Sequence, residues 1–279
     1  MRVEDLDTPR VRAGSEQRIL EDLRWLGMEW DEGPEGPCGP YRQSERTALY
    51  EAALGLLDAR GLTYPCDCSR KEIALAASAP HPGEEGPIYP GTCRHAPRDR
   101  IFRRPPAMRL LVPEGTKVRF KDAVFGEHEV DLATETGDFV LRRGDGVFAY
   151  QLAVVVDDLA QGITQVVRGA DLLPSTARQV FLAACLGAKA PSFAHAPLLV
   201  GSGGEKLAKR ARGVPVRDHR GAGIDPSRLV ARLARGLGLA DDGEERLAPS
   251  DLVARFSWDR VARGPIEVDP SWNLTSSLR

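Results

Sequence analysis

No apolar run approaches the roughly 20 residues that a bilayer-spanning helix needs. The N-terminus has neither the basic nor the apolar region of a signal peptide. A cytoplasmic location with no membrane partner is therefore expected. Charge of one sign is missing too: 38 Lys and Arg stand against 40 Asp and Glu, a formal net charge of -2. Such a balance gives no global attraction to polyanions, so contact with nucleic acid must come from a local basic patch. Cysteine is scarce and odd in number, at five. Without a secretory signal no disulfide framework is expected of these thiols, and metal ligation becomes the better question. What is present, 279 residues of which 42% are apolar, suits one large or two modest globular domains.

Met1-Arg2-Val3-Glu4-Asp5-Leu6-Asp7 reads as the exit of a buried strand whose sheet partner should lie upstream. Open α/β sheets place ligand-binding groups at the carboxyl ends of strands. Apolar residues at Ile19, Leu20, Leu23 and Leu26 predict a helix from Ser15 to Gly27. A second helix starts at Ser44 or Thr47, carries Leu49, Tyr50, Ala53, Leu54 and Leu57, and stops at Gly61. Leu62-Thr63-Tyr64 is strand-like, and a helix follows from about Arg70 to Ala77. Between Ala107 and Leu141 the pattern shifts to short strands, read as a small β-containing insertion. Helix resumes from Ala149 to Asp157, Val166 to Gly169 is a strand, and Ser175 caps a helix through Leu186. An amphipathic helix runs from Ser227 to Leu237. Strand and helix alternating on both sides of an insertion predict a doubly wound α/β fold. There is no internal repeat.

Three constellations carry chemistry. Cys66 and Cys68 lie two apart, followed by Tyr89, Cys93 and His95, in a stretch rich in Pro and Gly. Structural Zn²⁺ takes four such ligands in a tetrahedron, and spacing alone selects Cys66, Cys68, Cys93 and His95. The competing reading is a set of ordinary core thiols. Farther on, Gly201-Ser202-Gly203-Gly204 precedes Glu205-Lys206-Leu207-Ala208-Lys209-Arg210. Glycines free the backbone while the cations grip nucleotide phosphates; alone, such a run is more often a solvated face. Finally, Tyr150 and Arg168 join Glu4. A guanidinium for a carboxylate, a phenol, and a carboxylate for an ammonium group describe an amino-acid pocket.

Together these residues resemble the catalytic core of class I glutamyl-tRNA synthetases. Arg2-Val-Glu-Asp-Leu-Asp7, Tyr89-Pro-Gly-Thr-Cys93-Arg94, Phe148-Ala-Tyr-Gln-Leu-Ala-Val-Val155, Val167-Arg-Gly-Ala-Asp-Leu-Leu173 and Phe193-Ala-His-Ala-Pro-Leu198 occur in the family's order. Lys206-Leu-Ala-Lys-Arg210 looks like its mobile lysine loop. The resemblance covers nearly the whole chain. It is narrower toward the glutamyl-queuosine tRNA(Asp) synthetases, the short paralogues without an anticodon-binding domain, because little chain follows the lysine loop.

The resemblance implies a Rossmann-type catalytic domain in two parts, residues 1–62 and 148–200. Between them lies an insertion with a zinc site over 63–147, and a lysine-loop and helical region over 201–279 follows. Glu4, Tyr150 and Arg168 would bind glutamate. Lys209 would contact ATP, used with Mg²⁺, and stabilise charge as the glutamate carboxylate attacks the α-phosphate; Lys206 would support it. The activated glutamate would pass to queuosine in tRNA(Asp). One structural zinc ion would sit on Cys66, Cys68, Tyr89 and Cys93, with Tyr89 or His95 as the fourth ligand, in a monomer.

Two departures qualify that pattern. The family opens on a strand, a Pro-Ser-Pro turn and a His/Gly signature ahead of the Glu-Asp motif, and these are absent here, so a start farther upstream is expected. Ala208 stands where the lysine loop usually has serine. Losing one neutral hydrogen bond costs about 0.5 to 1.5 kcal/mol. Two other readings stay open: a degenerate paralogue that binds RNA or zinc without activating glutamate, and a catalytic fragment of a glutamyl-tRNA synthetase charging tRNA(Glu).

Overall fold

The structure is a computed structural model that describes residues 1–7, 11–33, 39–76, 88–201, 203–204 and 215–268. Its first helix, α1 (Ser15–Trp25), runs between two left-handed glycines, Gly14 at φ 70° and Gly27 at φ 76°. Leu20 is its buried residue, whereas Ile19 stays 51% exposed. A 3-10 turn over Gln43–Glu45 leads into α2 (Thr47–Ala59), whose Tyr50, Leu54 and Leu57 recur at helical spacing and are buried. The cap of this turn comes from far away: Asp5 accepts the Ser44 N–H at 2.8 Å and the Ser44 hydroxyl at 2.7 Å.

Three antiparallel strands, β1 (Thr63–Cys66), β2 (Ala107–Leu110) and β5 (Phe139–Arg142), form one sheet in the order β1-β2-β5. The short helix α3 (Arg70–Ala76) follows β1. Ser69 and Glu72 cap it reciprocally, Ser69 N–H donating to Glu72 Oε2 at 2.6 Å and Glu72 N–H to Ser69 Oγ at 3.2 Å. Strands β3 (Lys117–Asp122) and β4 (Gly126–Asp131) make a hairpin that ends in the one-turn helix α4 (Leu132–Glu135). The strand-rich block from Ala107 to Leu141 therefore divides between two sheets. Its β3–β4 hairpin continues, through Asp122 beside Phe193, into a parallel pair of β6 (Gln165–Gly169) and β7 (Ser192–Ala196), giving the order β4-β3-β7-β6.

Helices α5 (Tyr150–Ala160) and α6 (Thr176–Cys185) pack on this framework. Expected as a helix cap, Ser175 instead has helical dihedrals and makes no side-chain cap; its hydroxyl accepts from Gln151 at 3.1 Å and Arg178 at 3.3 Å. The main core gathers Tyr50, Leu57, Leu110, Leu132, Leu141, Leu152 and Leu182, all fully buried, from the β1-β2-β5 sheet and four helices. Beyond β8 (Leu199–Val200) come α7 (Val216–Gly221), α8 (Pro226–Gly236), α9 (Pro249–Val253) and β9 (Ile266–Glu267), which pairs with β8 in parallel. A second cluster joins α8 residues Val230, Ala231 and Ala234 to Val124 in the β3–β4 turn. Among the described residues no helix is long and apolar enough to cross a membrane.

Candidate amino-acid site and metal-ligand cluster

Val3 exchanges backbone hydrogen bonds with Tyr41 O at 2.9 Å and Gln43 N–H at 3.0 Å, an isolated parallel bridge. This bridge fixes where Glu4 leaves the fold, at the rim of an open cleft of about 880 Å³. Tyr150, the first residue of α5, lines the same cleft, as do Arg109, Arg143 and Cys68. Burial raises the Tyr150 phenol above its ordinary pKa and the charge of Glu4 adds to that, while Arg168 and Gln179 oppose it. Glu4 and Tyr150, far apart in sequence, thus share one cleft, and Arg168 acts on the Tyr150 phenol.

Arg168 sits on β6 in register with His195 on β7. Its Nε–H donates to His195 Nε2 at 3.0 Å, and its Nη2 donates to Thr176 Oγ1 at 3.0 Å and Leu172 O at 3.3 Å. His195 Nδ1 lies 2.6 Å from Asp122 Oδ2, with both side chains fully buried. Sequence reading missed this pair, whose members stand 73 positions apart. The one signal on offer was a histidine inside the apolar stretch Phe193 to Leu198.

Arg2, two residues before Glu4, reaches a second, buried assembly. Asp157 accepts from Arg46 Nε at 2.6 Å, Gln43 Nε2 at 2.9 Å and the Tyr50 hydroxyl at 2.9 Å. Arg2 reaches the same end of α5, donating to Asp158 at 2.8 Å and Gln161 at 3.1 Å. Burial raises the Asp158 carboxyl above its usual value, with Arg2 opposing. These contacts tie the segment that carries Glu4 to α5, the helix that opens with Tyr150.

The cysteine motif closes on itself. The sulfurs of Cys66, Cys68 and Cys93 lie within 4.8 Å of one another. Cys68 Sγ is 3.6 Å from Cys93 Sγ, and the Tyr89 hydroxyl is 3.3 Å from Cys66 Sγ and 3.7 Å from Cys68 Sγ. Ligands about 2.0 to 2.3 Å from a tetrahedral zinc ion stand about 3.3 to 3.8 Å apart, so three thiols and a phenol have the right size. His95, chosen on spacing, is exposed and lies outside the group of thiols. Burial would raise the Cys66 thiol, but hydrogen bonding with Tyr89, Arg109 and the Cys68 amide brings it below its ordinary value. Burial pushes Cys68 up to about 11, and neighbouring sulfur adds to that. Asp67, between the two thiols, is held by Arg100 and Arg103, each at 3.2 Å, and its carboxyl is driven well below the usual range, led by the Arg103 amide. Lys206, Ala208 and Lys209 lie outside the described residues.

The chain that carries these groups is matched at the level of families. Residues 1–269 match tRNA synthetases class I (E and Q), catalytic domain, and the chain belongs to that family. Within it, the chain is similar to curated proteins named Glutamyl-Q tRNA(Asp) synthetase. That of Nitratidesulfovibrio vulgaris is 50% identical over 240 residues, covering 84% of this chain and 74% of the relative. The counterpart from Symbiobacterium thermophilum is 47% identical over 241 residues, with 84% and 74% covered. Among solved structures, a glutamate tRNA ligase from Elizabethkingia meningosepticum in complex with its amino acid superposes with a TM-score of 0.81 at 27% identity. That alignment takes in 97% of this chain, which spans 60% of the ligase.

Proposed function

We propose that the chain activates glutamate with ATP and transfers it to queuosine in the anticodon of tRNA(Asp). The observation that carries this reading is Glu4 and Tyr150 lining one cleft, with Arg168 acting on the Tyr150 phenol, in a chain half identical to proteins named for that reaction. Arg168 pairs with the glutamate carboxylate, Glu4 holds the ammonium group, and Tyr150 adds a neutral hydrogen bond. A carboxylate oxygen of glutamate forms a bond to the α-phosphorus of ATP as the bond to pyrophosphate breaks. A hydroxyl of the queuosine cyclopentene diol then attacks the acyl carbon and AMP leaves. On the family resemblance, Lys209 contacts ATP, supported by Lys206, and Mg²⁺ accompanies the nucleotide.

Residues 1–62 and 148–200 supply the catalytic domain in this reading, 63–147 the insertion, and 201–279 the lysine loop and helical region. Cys66, Cys68, Cys93 and Tyr89 hold one zinc ion, whose role is to fix a loop with few apolar contacts of its own. The protein works as a cytoplasmic monomer. Radiolabelled glutamate incorporation tests the proposal with three acceptors: tRNA(Asp) with queuosine, tRNA(Asp) from cells unable to make it, and tRNA(Glu). Incorporation into the first alone is expected. Incorporation into tRNA(Glu) alone would assign the chain to ordinary glutamate charging, and incorporation into none would overturn the catalytic reading.

A further inference from the structure

Arg168 is the one cation assigned to the substrate carboxylate, and its direction is set by groups that touch no substrate. Its Nε–H points at His195 Nε2, 3.0 Å away, so that nitrogen must present a lone pair. The imidazole proton then sits on Nδ1, facing Asp122 Oδ2 at 2.6 Å. Burial lowers the His195 pKa and nearby Arg168 acts in the same direction, against the raising effect of Asp122, in keeping with a neutral ring. Burial would raise the Asp122 carboxyl, yet hydrogen bonds from His195 and from the Phe125 and Val124 amides outweigh it and hold the group ionised. A stacked Phe193, whose centroid is 6.4 Å from the His195 ring and 5.4 Å from the Arg168 guanidinium carbon, closes the remaining side.

We infer that Asp122 and His195 are positioning residues: Asp122 locks His195 in its Nδ1–H tautomer, and the Nε2 lone pair then aims Arg168 at the carboxylate of the amino-acid substrate. This inference rests on the glutamate reading of Arg168. The fixed tautomer matters because a histidine turned the other way would put one N–H against another and drive the guanidinium out of line. Asp122 is itself immobile. Its Oδ1 accepts the Val124 and Phe125 amides, each at 2.9 Å, so only Oδ2 is left for the ring.

That geometry makes Asp122→Asn an informative substitution. The two amides retain the side-chain oxygen, which places the new NH₂ group where Oδ2 was. Nδ1 must then accept, the proton moves to Nε2, and the hydrogen bond to Arg168 is lost. Long-range ¹H–¹⁵N NMR on the full chain reads the tautomer directly, with His195→Gln identifying the resonance among five histidines. The Arg168 Nε–H signal reports its hydrogen bond, and titration calorimetry with glutamate reports the consequence. Wild type is expected to show Nδ1–H and a protected Arg168 Nε–H. Asp122→Asn is expected to show Nε2–H, loss of that protection, and glutamate binding weaker by about tenfold or more.

A wild-type ring protonated on Nε2, or on both nitrogens at neutral pH, would overturn the inference without recourse to any variant. So would a reversed tautomer in Asp122→Asn with unchanged glutamate affinity. If wild type shows the expected tautomer and Arg168 contact but binds no glutamate, the locking of Arg168 stands and the glutamate reading fails.

Discussion

Asp157 shows how much one side chain holds at this site. It is fully buried and gathers Arg46, Gln43 and Tyr50 from the 3-10 turn and α2, with Arg2 Nε 3.7 Å away. Removing one partner of a buried ion pair leaves the other charge stranded, at a cost of about 3 to 5 kcal/mol. Asp157→Ala should therefore lower stability by that order in urea unfolding, because Arg46 is only 6% exposed and has nowhere to turn. Tyr50→Phe removes one hydrogen bond to a charged acceptor and should cost about 1.5 to 3 kcal/mol. Equal effects for the two would show that the Arg46 ion pair adds nothing beyond the Tyr50 hydrogen bond. None of these partnerships was legible in the sequence. Helical spacing puts Tyr50 on an apolar helix face, which is where it lies, but the bond from its hydroxyl crosses to residue 157.

Helices were largely readable because their signals are local. Spacing and glycine stops located α1, α2 and α8 to within a few residues. Caps were less readable, since their partners need not be neighbours. For α8 the cap is local: Asp225 accepts the Ser227 N–H at 2.9 Å and its hydroxyl at 2.7 Å, just ahead of Pro226. The Ser227 hydroxyl and amide hold the Asp225 carboxyl below its ordinary pKa, with Arg246 adding to them. A depressed carboxyl contributes stability above its unfolded-state pKa and loses it as pH falls through the folded-state value. Asp225→Ala should accordingly lower the urea midpoint at pH 7, and the gap from wild type should shrink by pH 3. A gap that widens on acidification would show that the carboxylate is not the stabilising form. The Ser175 cap failed for the opposite reason. A 3-10 turn over Ala170–Ser175 already supplies helical backbone there, so the hydroxyl is released to Gln151 and Arg178.

The molecule has unequal cores, and this governs what metal loss should do. The main cluster draws on two sheets and four helices, while the thiol region, among the described residues, has only Tyr64, Cys66, Tyr89 and Cys93 buried together. A bound ion would replace the missing apolar contacts there. Metal analysis of the purified chain should find about one zinc per molecule. Cys66→Ser should lose it, Tyr89→Phe should hold it less tightly, and His95→Ala should keep it. Chelation should speed amide exchange around residues 63–68 and 89–94 and leave the main cluster protected. Zinc lost from His95→Ala but kept by Tyr89→Phe would restore the spacing-based ligand set.

Composition, helical periodicity and the motif series were enough to settle the α/β class, the longer helices and the family, because each depends on nearest neighbours along the chain. The short strands between Ala107 and Leu141 were recognisable as strands, yet their division between two sheets was not. A strand's pattern states which face is buried and is silent about which strand lies beside it. Only the folded chain puts Asp122 next to Phe193, and through that register hands His195 and Arg168 to each other. The surroundings of the thiol cluster depend on the fold in the same way. Spacing admitted both His95 and Tyr89, and the path of the backbone brings the phenol, not the imidazole, to the sulfurs.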